Sequence, residues 1–243
     1  RKYILHTVEP GNPFPGFLAS GNGSDIENRE TIPYNKGDTN QIMWWKDGGC
    51  VMKEEVSVLV RNTRFGALEG VLEREGKVLA WKGIPYAKPP VGELRWRAPQ
   101  PVEPWTGIRP AKAFGPVSVQ KCEDQVIGSE DCLYLNVFRP NDAQEGLPVF
   151  FFIHGGNNQT DSGELMDGPL MADSLQGVVV TINLRLNALG WLNIPAIKTG
   201  DPLEDSGNFG LLDILKSLDW VWENIEAFGG DPNRITACGY SSG

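Results

Sequence analysis

Gly239-Tyr240-Ser241-Ser242-Gly243 sets a serine between two glycines, each two positions away. A serine hydroxyl attacks a carbonyl carbon well when it projects from a very tight strand-to-helix turn. Glycines at those two positions remove side chains that would collide there. A second constellation is Phe152-Ile153-His154-Gly155-Gly156-Asn157. Glycines directly after an apolar run leave backbone N–H groups unshielded, and such groups can hold a developing oxyanion; a plain glycine turn is the alternative. The chain has two histidines, His6 and His154. His154 invites a general-base reading, but a base serving a strand-end serine follows it in the chain, in the order serine, acid, histidine. Its place beside the glycines instead reads as a structural, hydrogen-bonded residue.

These residues need elements to carry them. Val149 to Ile153 and Gly177 to Ile182 are continuous apolar runs, as expected for strands buried on both faces of a parallel sheet. Leu133 to Phe138 and the short run Arg234 to Cys238 read as two further strands. Between Gly210 and Phe228, Leu211, Leu212, Leu215, Leu218, Val221, Trp222 and Ile225 recur at spacings of three and four. That is an amphipathic helix, with Asp213 in its first turn and Gly229-Gly230-Asp231-Pro232 stopping it. Upstream, a strand at Val56 to Val60 and runs around Gly66, Gly70 and Lys77 to Trp81 read as an antiparallel meander. Residues 85–105 are dense in proline and form an irregular crossing. Strands alternating with a long helix imply βαβ units, so the expected fold class is α/β, a mostly parallel central sheet behind that meander. Residues 1–55 lack periodicity and read as a loop-rich N-terminal extension, with an apolar cluster at Met43-Trp44-Trp45; residues 56–243 form the main body.

Composition excludes several classes. Of 243 residues, 40% are hydrophobic and 22% charged, ample material for a globular core. The formal charge of −9 argues against a nucleic-acid binder, which needs a basic face. No apolar run is long enough for a membrane span, and no charged-then-apolar leader opens the chain. No metal or cofactor motif is present, and none is expected.

Gly83-Ile84-Pro85-Tyr86-Ala87, Leu94-Arg95-Trp96, Ser129-Glu130-Asp131-Cys132-Leu133-Tyr134-Leu135-Asn136, His154-Gly155-Gly156, Asn183-Leu184-Arg185 and Gly207-Asn208-Phe209-Gly210 follow one another in order. With Ser241 they resemble the type-B carboxylesterase/lipase family of α/β-hydrolases, which includes the cholinesterases. The resemblance runs from about Val58 to Gly243. It implies an α/β-hydrolase fold, incomplete in this chain, and hydrolysis of a small-molecule ester through a serine acyl-enzyme. Ser241 would be the nucleophile and the N–H groups of Gly156, Asn157 and Ser242 the oxyanion hole. Arg95 with Glu130, and Arg185 with Asp213, would be internal ion pairs. The family's catalytic acid and histidine lie downstream of its serine. The expectation is therefore a piece of a larger enzyme, inactive alone, completed by a second chain or a missing C-terminal segment.

The sequence departs from the family pattern at Tyr240, where glutamate is usual, and at Asn157, where a third glycine is usual. Cys132 matches a family disulfide position, and a bridge to Cys122 is expected, with it an extracytoplasmic location; free thiols in a bacterial cytosol are the alternative. Cys238 reads as a buried small hydrophobe, and Cys50 has no obvious partner. Asn22-Gly23-Ser24 and Asn158-Gln159-Thr160 fit the glycosylation pattern, although sugar on the second would obstruct the site. The loop Glu123 to Asp131 has no aromatic residue, so recognition of a quaternary amine has no support there. A non-catalytic cholinesterase-like adhesion module and a lipase of the same family are the rival readings.

Overall fold

The computed structural model describes residues 58–243 in full and, before them, the backbone of three strands. The chain divides into two units, Arg1–Val58 and Leu59–Gly243. In the first, β1 (Ile32–Asn35), β2 (Asn40–Lys46) and β3 (Gly49–Glu54) pair antiparallel. His6, Asn22-Gly23-Ser24 and the side chains of Met43, Trp44, Trp45 and Cys50 lie outside the described residues.

Val58 and Leu59 form a turn, and the first described strand of the second unit starts at Val60; Val56, where the sequence reads as the start of a strand, lies outside the described residues. The Leu59 carbonyl accepts from the Gly70 N–H at 2.9 Å and from the Trp81 indole at 2.7 Å. Its strands are β4 (Val60–Thr63), β5 (Gly66–Glu69), β6 (Val71–Glu73), β7 (Val78–Pro85), β8 (Ile108–Pro110), β9 (Gln120–Cys122), β10 (Gln125–Ile127), β11 (Tyr134–Pro140), β12 (Leu147–Ile153), β13 (Val178–Ile182) and β14 (Gly230–Gly239). Its α-helices are α1 (Gly168–Leu175), α2 (Asn187–Trp191), α3 (Pro202–Asp205) and α4 (Phe209–Asn224).

The main sheet runs β14-β12-β13-β11-β7-β6. β12 pairs parallel with both β13 and β14, and β11, β7 and β6 continue antiparallel. The apolar runs explain this layout: all five residues of β13 are buried, because helices cover both faces. On one face α4 and the 3-10 turn after it bring Trp220, Val221, Ile225 and Phe228 against Trp81, Val149, Phe151 and Val180. The Trp81 and Phe228 rings meet edge to face at 5.0 Å. On the other, α1 sets Ala172 against Phe138 and Val179. Truncating Trp81, which has no exposed surface, would cost about 3–5 kcal/mol.

The helix read from the sequence exists, but its buried face is not the one its leucines mark. Phe209, Asp213, Ser217, Trp220, Val221 and Asn224 are buried, while Leu211, Leu215 and Trp222 are 45%, 51% and 64% exposed. Asp213 does not answer the helix dipole at the surface; it is fully buried, with Arg185 against it.

Candidate active site

β14 leaves the sheet at Gly239, and the chain reverses within four residues, closed by a Gly243 N–H to Tyr240 carbonyl bond of 2.9 Å. The glycines are there for space. A β-carbon on Gly239 would run into the Gly243 backbone, and one on Gly243 into the Ile153 carbonyl oxygen. Ser241 at the tip has φ = 57°, a left-handed conformation that costs a non-glycine residue about 1–3 kcal/mol. Its side chain is exposed.

The glycine turn after β12 lies against this tip. A β-carbon on Gly155 would stand 2.6 Å from the Tyr240 carbonyl oxygen. Gly156, Asn157 and Asn158 then take φ values of 84°, 56° and 57° in succession. The Gly156 carbonyl accepts from the Gln159 and Thr160 N–H groups at 2.9 and 3.1 Å. Among the described residues, the N–H groups of Gly156, Asn157 and Ser242 donate to no protein acceptor. Unbonded N–H groups beside an exposed serine can stabilise negative charge on a reacting oxygen.

His154 is 2% exposed, with Nδ1 3.0 Å from the Gly155 carbonyl and Nε2 without a partner among the described residues. Burial holds the imidazole below its ordinary value, against the pull of the Gly155 carbonyl and Asp161. No hydrogen bond joins it to Ser241 among the described residues. His154 lines a cavity of 280 Å³ with Gly155, Asn158, Trp191, Ser242 and Gly243.

Two ion pairs brace the approach. Arg95 grips Glu130 through two bonds of 2.6 Å. Arg185 grips Asp213 through Nε at 2.9 Å and Nη2 at 2.7 Å, and its own N–H reaches the same carboxylate at 3.0 Å. Burial pushes the Asp213 carboxyl up while Arg185 pulls it down, and only this fork makes the buried carboxylate tenable.

Two cysteine expectations are corrected. Cys122 and Cys132 are free thiols: Cys122 is exposed at the end of β9, whereas Cys132 is buried and shares a small cavity lining with Ser118. The expected bridge between them is not formed in this structure. Burial pushes the Cys132 thiol up to about 12, which keeps it protonated and inert. Cys238 is exposed, not buried, because β14 stands at the sheet's edge among the described residues.

Two amides absent from the sequence expectations hold the turn from outside. Gln120 accepts from the Asp161 N–H at 2.8 Å and donates to the Asp161 carbonyl at 3.0 Å. Asn187 donates through its side chain to the Gln159 and Val119 carbonyls at 2.9 and 3.2 Å, and through its N–H to the Asn158 carbonyl at 2.9 Å. The one sequence signal was Asn187 itself, since asparagine tolerates the left-handed φ of 54° found there.

The model of the Carboxylesterase family matches residues 57–243. Fumonisin B1 esterase of Sphingopyxis macrogoltabida is 45% identical over 193 residues, covering 76% of this chain and 35% of that protein. Para-nitrobenzyl esterase of Bacillus subtilis (strain 168) is 42% identical, covering 75% of this chain and 38% of that protein. A solved carboxylesterase of Geobacillus stearothermophilus superposes with a TM-score of 0.68 at 45% identity, over 74% of this chain and 37% of that one. The chain thus spans little more than a third of the length of these relatives and shares their α/β-hydrolase architecture. It belongs to the carboxylesterase family.

Proposed function

We propose that this chain carries the nucleophile of a serine carboxylesterase that hydrolyses small-molecule esters. Ser241 Oγ attacks the ester carbonyl, forming the C–O bond of an acyl-enzyme as its proton passes to a base. The N–H groups of Gly156, Asn157 and Ser242 hold the oxyanion, and the base protonates the departing alcohol. Water then releases the acid by the same route in reverse. The relatives are nearly three times longer than the matched segment, and residues outside this chain supply the base and its carboxylate. Residues 1–55 are an N-terminal extension to this body in the sequence.

The observation that carries this reading is an exposed Ser241 at φ = 57° packed on Gly155, with unbonded N–H groups at the next two residues of that turn and at Ser242. The segment Glu123 to Asp131 offers no aromatic ring for a cation, so it gives no support for a cationic ester and uncharged esters are the better reading. A fluorophosphonate probe tests it. Applied to the folded native protein, the probe is expected to label Ser241 and abolish hydrolysis of a p-nitrophenyl ester. Absence of labelling would make the protein a non-catalytic binding module.

A further inference from the structure

We infer that Asn187 is a positioning residue for the oxyanion turn; this rests on the reading of that turn as an oxyanion hole. Gly156, Asn157 and Asn158 are three consecutive residues at positive φ, two of them not glycine. Such a run persists only where its surroundings over-determine it. From inside, it is held by the Gly156 carbonyl, which takes two N–H groups. From outside, Asn187 holds the next two carbonyls: its N–H takes Asn158 and its side-chain amide takes Gln159 at 2.9 Å. The same amide reaches the Val119 carbonyl at 3.2 Å, tying the turn to the segment entering β9. Gln120, next along that segment, grips Asp161 on both sides of its backbone. One amide group thereby links the strand-end turn, the β9 segment and the start of α2.

Asn187 has its own reason to be asparagine. Its φ of 54° is open to glycine and asparagine, and only asparagine adds the two outward donor bonds. Removing the side chain leaves the Asn158 bond intact but frees the Gln159 carbonyl. The N–H groups of Gly156 and Asn157 then lose part of the restraint that aims them at a charge existing only in the transition state. Loss of an oxyanion donor costs about 100- to 1000-fold, and loosening two donors while keeping both is expected to cost about tenfold in kcat.

The test uses Asn187→Gly, which keeps the backbone conformation open, and Asn187→Asp, which keeps size but turns a carboxylate toward two carbonyl oxygens. Both are made in the native protein and assayed with a p-nitrophenyl ester. An aryl trifluoromethyl ketone, which binds serine hydrolases as an anionic hemiketal, reports on the turn separately. Expected are a kcat reduced about tenfold in Asn187→Gly, a matching rise in the ketone's inhibition constant, a KM within about twofold of wild type, and a larger loss in Asn187→Asp. A lowered melting temperature with kcat and ketone affinity unchanged well below it would overturn the positioning role and leave the esterase reading standing. A wild type that fluorophosphonate does not label would overturn both.

Discussion

A β-carbon on Gly155 would stand 3.0 Å from the Ser241 Cβ, closer than side chains settle without something moving. The turn after β12 and the tip after β14 are therefore seated directly on each other, and the parallel β12–β14 ladder sets their height. Position 155 must stay without a side chain for the serine to stand beside the free N–H groups. Gly155→Ala is expected to part the two turns and lower kcat at least about 100-fold, since misplacement of reacting groups by roughly 1 Å carries that cost. Ester hydrolysis with melting temperature checks it; near-normal kcat would mean the two turns need not touch.

Asp213 is buried without exposed surface against Arg185, 3% exposed. Breaking such a pair leaves a buried charge uncompensated, at about 3–5 kcal/mol. Asp213→Asn keeps the shape and loses the carboxylate. It is expected to lower the urea midpoint by a shift of that size, and a midpoint within experimental scatter of wild type would remove the ion pair from the account of stability.

The parallel half of the fold was legible because its strands are apolar on both faces. Val149 to Ile153 and Val178 to Ile182 needed no knowledge of their neighbours. The serine turn was legible in part: the clash that demands Gly239 is with Gly243 in the same turn, whereas the one that demands Gly243 is with the Ile153 carbonyl on β12. What escaped depends on residues distant in the chain. The leucine spacing of α4 cannot tell that the sheet meets Trp220 and Asp213 while Leu215 and Trp222 face outward. The family resemblance paired Cys132 with Cys122, and the structure leaves both thiols free. Gln120 and Asn187 act through backbone carbonyls, which leave no mark on residue type.

Ser118 lines the same small cavity as Cys132, and its hydroxyl donates to the Leu184 carbonyl. Ser118→Cys is therefore expected to form, under oxidising conditions, the bridge that Cys122 does not. Closing a loop of this length is worth about 3 kcal/mol on the chain-entropy account. Thiol titration and melting with and without reductant check it. Both thiols remaining titratable after oxidation would show the side chains do not meet.

His154 links stability to pH. Burial lowers its pKa in the folded state, so the unfolded chain takes up the proton more readily. The contribution is fully present above the unfolded value of about 6.5 and is lost as the pH falls from there through the folded value. Urea midpoints at pH 7.5 and 5.5 are expected to differ more in the wild type than in His154→Asn. Equal differences would mean the imidazole does not carry the dependence.

Ser241 sets function against stability in one residue. Its φ of 57° is unfavourable for any side chain with a β-carbon and open to glycine. Replacing the serine with alanine removes the proposed nucleophile but keeps the strain. Replacing it with glycine removes both, at some cost in unfolded-chain entropy. Ser241→Gly and Ser241→Ala are both expected to lose fluorophosphonate labelling, with the glycine variant more stable by about 1 kcal/mol. Thermal unfolding of the two variants decides it. An alanine variant as stable as the glycine one would mean the tip stores no strain, leaving the glycines at 239 and 243 to account for its shape alone.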